Sequence, residues 1–385
     1  MIAHETLESL QRQQKKLLDV AKHISAADYS TQFHPDLSPL GWHLGHCVFT
    51  ETYWLREIVL ALETISDEHK QLYMPELSVK SARATALPDQ ADLYHWAEIS
   101  QQQNLEYLAQ LINEGSDAAL MQDNYLVYFF CQHYAQHIET FHYILTQKNL
   151  QQDVGFKVES VLEARPVQIN YNQLDAGLYA IGSVNPLHHY DNENPGFSLQ
   201  LGAFQIADRP INNAEFLGFI EAGGYFAQQH WSKHAWLWRE QNAISCPQHW
   251  RMDVSGNYYG TNANGAYQLE ANKPVSGLSH HEASALASWV NARLPHEYEW
   301  EAAKKTGALR ATGHVWEWCE NYFHPYPGFS AFPYDGYSIP WFDKQHFTLR
   351  GASELTSAVI QRDSFRNFYQ ADKRHFPAGV RLVSL

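Results

Sequence analysis

The chain has 385 residues, longer than a single hydrophobic core usually grows, so two domains are expected. Hydrophobic residues make up 45% and nothing reads as a disordered tail or solenoid repeat, while a formal net charge of -15 with no basic stripe argues against nucleic-acid partners. The opening MIAHETLESLQRQQKK has no apolar leader core, no run reaches the roughly 18 apolar residues that span a bilayer, and four scattered cysteines make no disulfide framework, so a soluble cytoplasmic protein without a membrane partner is expected.

Residues 1–155 read as helices. LLDVAKHI, the stretch from Trp42 to Leu60, LYHWAEISQQQNLEYLAQLINEG and NYLVYFFCQHYAQHIETFHYILTQK carry apolar positions three and four apart, which predicts an antiparallel bundle. Between them, 65–90 contains Pro75 and Pro88 and is expected to be irregular. From about 155 the texture changes to Gly, Pro, Asn and aromatic residues, so 156–385 forms a second domain. Helix is predicted in NNAEFLGFIEAG, stopped by Gly223 and Gly224, and in HHEASALASWVNARL, stopped by Pro295. Short strands fit LQLGAFQIA and HFTLRGA, and the remainder is expected to be ordered loop with a binding role. The fold class is therefore a helical domain followed by an α+β domain with sparse regular structure.

The chemistry concentrates in histidine. His133 and His137 stand four apart in one predicted helix, so both imidazoles leave the same face and can meet one ion. A third ligand from another helix is available in Trp42-His43-Leu44-Gly45-His46, as either His46 or His43. Imidazole suits iron, zinc, copper and nickel alike. Cys47 and Cys131 are adjacent to, or two away from, these histidines and face elsewhere, as buried small hydrophobes would. The plain counter-reading is that 22 histidines in one chain place an i,i+4 pair by chance.

The second half carries GGYFAQQHW, LPHEYEWEAA, GHVWEWCENYFHPYPGF and SFRNFYQADKRHFPAGVRLV. These resemble the formylglycine-generating-enzyme/sulfatase-modifying fold, a C-type-lectin-like domain. Preceded by GWHLGH and HYAQH, the whole chain resembles the ergothioneine-biosynthesis sulfoxide synthases, the EgtB family, whose first domain is a DinB-like four-helix bundle. The resemblance implies Fe(II) held by His46, His133 and His137, choosing His46 over His43. It implies O2-dependent joining of a thiol to the imidazole C2 of trimethylhistidine (hercynine), with oxidation of the sulfur to a sulfoxide. Gln136 corresponds to the contact with the substrate imidazole. Tyr334, with Tyr337 as the near alternative, corresponds to the proton donor. Asn367 and Phe368 correspond to the segment at the betaine end of hercynine. Trp316 and Trp318 read as core, and Arg366, Arg374 and Arg381 as partners of acidic residues within the domain.

The co-substrate side departs from the actinobacterial pattern. Lys80 and Arg83 keep positive charge for a carboxylate, but a lysine does not reproduce a bidentate arginine fork. Tyr369 stands where an aspartate is expected, and Lys373 where an arginine is. The donor is then free cysteine or a molecule without an amino-acid end. Selenoneine synthases (SenA), which resemble the same two-domain enzyme and use a selenosugar, are the alternative. Formylglycine generation is disfavoured because Cys246 and Cys319 form no local pair. A non-enzymatic binding module is the remaining reading, distinguished by metal content.

Overall fold

A computed structural model of the chain describes residues 2–62, 65, 67–152, 154–183, 185 and 188–385. It divides into two compact units, Met1–Gln151 and Gln152–Leu385. No helix among the described residues is long and apolar enough to cross a membrane.

Unit 1 is helical: α1 (Ile2–Lys22), α2 (Ala26–Ser30), α3 (Leu40–Thr52), α4 (Asp67–Tyr73), α5 (Arg83–Ala86), α6 (Gln90–Glu114) and α7 (Tyr125–Gln152). On α1, Leu10, Leu17, Leu18 and Ala21 are buried, the one-sided spacing of a helix on the outside of a bundle. On α3 every residue is buried, which marks the central helix. Its two glycines make room for neighbours: a Cβ on Gly41 would lie 2.3 Å from the Tyr29 ring, and one on Gly45 2.2 Å from the Tyr73 ring. The predicted single helix over Trp42–Leu60 instead passes at Tyr53–Val59 into a π-helical segment. There Arg56 Nε donates to Asn104 Oδ1 of α6 at 2.7 Å. The 65–90 segment, expected to be irregular, holds α4 and α5, short helices that each end two residues before a proline, Pro75 and Pro88.

Glu51 of α3 is fully buried, and among the described residues no cation contacts it directly, with Arg56 acting only at longer range. It accepts from Gln14 Nε2 at 2.8 Å and from the Tyr134 hydroxyl at 2.7 Å. Burial pushes its carboxyl up to about 7, against the pull of Tyr134, Gln14 and Asn104. A carboxyl whose folded pKa exceeds its unfolded value stabilises the fold most at low pH, and that contribution is lost as pH rises from about 4.5 through 7. Glu51→Gln is therefore expected to gain on the wild type as pH rises from about 5 to about 8, by on the order of 2–3 kcal/mol. Thermal unfolding at both pH values checks this; a difference independent of pH would count against it.

Unit 2 carries β1 (Tyr171–Leu174), β2 (Gly177–Ile181), β3 (Phe197–Leu201), β4 (Phe204–Ala207), β5 (Trp250–Met252), β6 (Tyr258–Asn262), β7 (Gly265–Tyr267), β8 (Ala292–Arg293), β9 (Trp316–Tyr322), β10 (His346–Gly351), β11 (Asn367–Gln370), β12 (Ala378–Gly379) and β13 (Val383–Ser384). Its helices are α8 (Asn213–Glu221), α9 (Lys233–Gln241), α10 (His280–Trp289) and α11 (Glu297–Lys305). Two four-stranded sheets run β1-β4-β13-β8 and β11-β10-β9-β12, beside the hairpin β2-β3 and the ribbon β5-β6-β7. The first sheet shares with α11 a core of Leu174, Phe204, Ile206, Trp300 and Val383. The helix predicted to run to Pro295 stops earlier. Asn291 takes a left-handed φ of 56° after Trp289, and the chain turns into β8.

Four buried carboxylates are each met by an arginine. Arg366 grips Glu297 at 2.7 and 2.8 Å, and Arg381 grips Glu317 at 2.6 and 2.8 Å. Arg350 reaches Glu301 at 2.5 Å, and Arg374 reaches Glu282 at 2.7 Å. The arginines of the SFRNFYQADKRHFPAGVRLV segment thus pair inside the domain, and Trp316 and Trp318 are buried between strands as core.

Candidate metal centre

In unit 1, α3 and α7 bring three imidazoles together. His133 and His137 lie one turn apart on α7, with ring centroids 4.5 Å apart. The His46 ring is 5.0 Å from each. One ring nitrogen from each of the three falls within 4.8 Å of the others. His46 Nδ1 is 2.7 Å from the Tyr73 carbonyl, which can only accept, so Nδ1 carries the proton and Nε2 presents a lone pair. That Nε2 lies 3.2 Å from His133 Nε2. Two ligands at right angles on an ion, each with a bond of ~2.1 Å, stand ~3.0 Å apart, so this spacing fits neighbouring coordination positions.

The support behind His46 is aromatic and cationic. Trp42 stacks on its ring at 4.7 Å with an interplanar angle of 8°, and the Arg83 guanidinium sits 3.7 Å from the Trp42 ring. Burial lowers the His46 pKa to about 4 and holds His133 and His137 well below the usual imidazole value. All three are neutral at physiological pH, the form that ligates metal. The donor set suits a borderline transition metal, and three protein nitrogens leave positions for exchangeable ligands.

The alternative ligands are otherwise occupied. His43 Nδ1 meets His137 Nδ1 at 2.8 Å. Burial pushes the Cys47 thiol well up and the Cys131 thiol to about 12, so neither offers a thiolate, and Cys131 lies against the Thr6 carbonyl at 3.8 Å. Gln136 is half-buried one residue before His137. Lys80 is exposed and donates to the Asp36 carbonyl at 2.8 Å. Arg83, read from sequence as a carboxylate anchor, is buried. It donates to Ser38 Oγ at 2.7 Å, to Ser78 Oγ and the Ser78 carbonyl at 3.0 Å each, and to the Pro75 carbonyl at 3.4 Å.

In unit 2, Asn367 and Phe368 open β11. Asn367 is half-buried, and its Oδ1 accepts from the Phe368 N–H at 2.9 Å. The Phe368 ring stacks on Phe323 at 4.2 Å and stands 5.9 Å from Trp341. Tyr369 stacks on Phe376 at 3.9 Å, and Lys373 pairs with Asp372 at 3.6 Å. Tyr334 is 36% exposed in extended backbone, whereas Tyr337 stacks on Tyr190 at 4.3 Å. Asp191 holds the loop that carries both tyrosines. It accepts from Ser338 Oγ at 2.5 Å and from the Phe332 N–H at 3.4 Å.

Residues 9–141 match the model of the DinB superfamily, and residues 163–312 match that of the sulfatase-modifying factor enzyme 1-like domain. The chain is similar to a hercynine oxygenase of Mycobacterium tuberculosis, with 29% identity over 93% of each chain. It is similar to another from Mycolicibacterium smegmatis, with 26% identity over 100% of this chain and 99% of the relative. It also matches ergothioneine biosynthesis protein 1 of Schizosaccharomyces pombe at 24% identity, over 77% of this chain and 43% of that protein. The chain is EgtB-like in both domains and over nearly its full length.

An EgtB-like chain is thus a helical DinB domain followed by a mixed α/β domain of the sulfatase-modifying type. Little in the sequence announces the groups that support these site residues. The Tyr73 carbonyl is a backbone acceptor, and no residue type announces one. Arg83 was found by its charge, but its partners Trp42, Ser38 and Ser78 come together only by folding. Asp191 carried no motif; its clue was an acidic residue among the aromatics of HHYDNENPGF.

Proposed function

We propose that this protein is an O2-dependent enzyme of ergothioneine-type biosynthesis. It joins C2 of the hercynine imidazole to the sulfur of a cysteine-type thiol and leaves the sulfur as a sulfoxide. The observation that carries the proposal is the convergence of His46, His133 and His137, with the Nε2 lone pair of His46 turned to its neighbours by the Tyr73 carbonyl. Relatives named hercynine oxygenase, similar over nearly the full chain, supply the substrate. The balance closes without an external reductant. One C–H and one S–H are lost, C–S and S–O bonds form, and O2 takes four electrons, leaving its second oxygen as water. Fe(II) held by the three histidines would supply oxygen activation and a Lewis-acidic meeting point for imidazole and thiol.

The remaining residues bind and orient. Gln136 hydrogen-bonds the hercynine imidazole nitrogen that does not face the metal. Asn367 Nδ2 donates to the carboxylate, and Phe368 offers a π face to the trimethylammonium group. Tyr334 holds the proton delivered to the reacting oxygen. Its exposure supports it over Tyr337, whose ring is already packed on Tyr190. Tyr334→Phe is expected to retain metal and to lower turnover by roughly 10²–10⁴-fold or divert the product. Steady-state kinetics with product analysis check this, and unchanged turnover would transfer the role to Tyr337.

A selenium donor is the second reading, and a specific observation favours it. The groups matching a glutamyl-thiol anchor are committed within the fold: Arg83 to Ser38, Ser78 and Pro75, Tyr369 to Phe376, and Lys373 to Asp372. A selenosugar needs none of them. The deciding experiment loads anaerobic protein with Fe(II), adds hercynine with γ-glutamylcysteine, cysteine or a selenosugar, admits air and reads products by mass spectrometry. A sulfur adduct carrying one added oxygen establishes the sulfoxide synthase and its donor. A selenium adduct formed only with the selenosugar establishes the second reading. No adduct with any donor, from protein holding iron, overturns both.

A further inference from the structure

His43 was weighed as a ligand, but its geometry gives it a different task. Its Nδ1 lies 2.8 Å from His137 Nδ1, and two imidazole nitrogens at that distance share one proton. If the proton sits on His43, His137 accepts at Nδ1, carries its own proton on Nε2 and has no lone pair for an ion. If the proton sits on His137 Nδ1, its Nε2 is bare and ligates. The direction of one hydrogen bond therefore decides whether the third imidazole is a ligand.

The metal centre requires the second arrangement, and the surroundings of His43 hold its ring in place for it. The ring is 7% exposed, held edge-on to Trp42 at 5.3 Å and to Phe141 at 6.2 Å, so it keeps one orientation. With Nδ1 accepting, a neutral His43 carries its proton on the buried Nε2, and the Ser38 backbone carbonyl is the acceptor within the ring's reach. We propose that His43 is a positioning residue: it accepts the His137 Nδ1–H, fixing the tautomer and ring angle that direct His137 Nε2 at the metal. His46 is oriented by a backbone carbonyl and His137 by a side chain, so one ligand of the three is adjustable by mutation of its support.

This inference rests on the metal centre proposed above, and the test separates the two. Fe(II) affinity of the full chain is measured anaerobically by chelator competition for wild type, His137→Ala, His43→Asn, His43→Gln and His43→Leu, with Co(II) absorption spectra recorded alongside. The amide oxygen of asparagine occupies the place of Nδ1, and that of glutamine reaches the place of Nε2. His43→Leu and His43→Gln are expected to bind roughly 10- to 100-fold more weakly and to shift the Co(II) bands. His43→Asn is expected to restore both. Should the leucine variant fail to fold, the asparagine and glutamine pair carries the comparison. Wild-type affinity in the leucine or glutamine variant, with metal lost in His137→Ala, overturns the role of His43 and leaves the centre standing. Equal weakening in all three His43 variants also overturns it, because a space-filling role would do the same. Equal binding by wild type and His137→Ala overturns the metal centre and this inference together.

Discussion

His133→Ala and His137→Ala are each expected to abolish iron binding and turnover together while leaving the helical unit folded. Each removes one of three nitrogens that converge within 4.8 Å, and among the nearby groups the Cys47 and Cys131 thiols are held protonated by burial. Both positions lie on α7, and the remaining helix contacts do not depend on them: Tyr134 still bonds Glu51, and the Ile138 and Phe141 side chains stay in the core. Loss of metal without loss of fold is therefore the signature. It is read by metal content after anaerobic reconstitution, with circular dichroism as the control. An ion that binds only the folded state adds about 4 kcal/mol at a free concentration a thousandfold above its dissociation constant. Wild type should accordingly melt higher with Fe(II), and both variants should melt alike with and without it. Full iron occupancy after either substitution would sink the assignment.

The largest effect on stability is expected at Glu297. It is fully buried, gripped by Arg366 at 2.7 and 2.8 Å and approached by Arg350 at 3.5 Å. Arg366 spends its remaining donors on the Asn192 and His324 carbonyls, so Glu297 is the carboxylate that neutralises it. Arg350 keeps Glu301. Glu297→Gln preserves shape and removes the charge, leaving a guanidinium in a site from which water is excluded. Breaking a buried pair from one side typically costs about 3–5 kcal/mol. In a unit of this size each kcal/mol moves the midpoint by roughly 2–4 °C, so a fall of roughly 6–20 °C is expected in thermal unfolding. Burial alone would raise the Glu297 carboxyl, but Arg366 and then Arg350 hold it down at about 2. Because the folded value lies below the unfolded one, this stabilisation is full above about pH 4.5 and is lost as pH falls toward 2. The variant should lack that part of the acid transition. A shift of under about 1 kcal/mol would mean that the pair is not coupled to the fold.

Helix was the most legible feature. The stripe of Leu10, Leu17, Leu18 and Ala21 and the four-residue spacing of His133 and His137 are periodic signals that survive any tertiary context. What periodicity does not carry is a change of helical pitch, so the π-helical segment after Thr52 was invisible. The stop of α10 at a left-handed Asn291, four residues before the proline that seemed to end it, was missed because asparagine is a weaker marker than proline. At the candidate site, spacing left His43 and His46 open because both sit on nearly one face of α3. Their difference is a matter of partners, a carbonyl for one and a histidine for the other, and those partners are distant in sequence. Charge misled at Arg83. A guanidinium buried against an indole and bonded to serines and carbonyls reads from sequence as an anion site.

The position of β13 bears on how the protein assembles. Val383 lies opposite both Ile206 and Arg293, so the first sheet of unit 2 is closed by a strand far along the chain from either neighbour. Pairing over such separations costs loop-closure entropy before any contact repays it, and contact order of this kind slows folding. Until β13 inserts, β4 and β8 present bare edges, and edges of that sort recruit other chains. The helical unit has no such bottleneck. Refolding yield should thus be governed by the mixed unit alone, and the imidazole cluster should be in place long before its companion domain is complete.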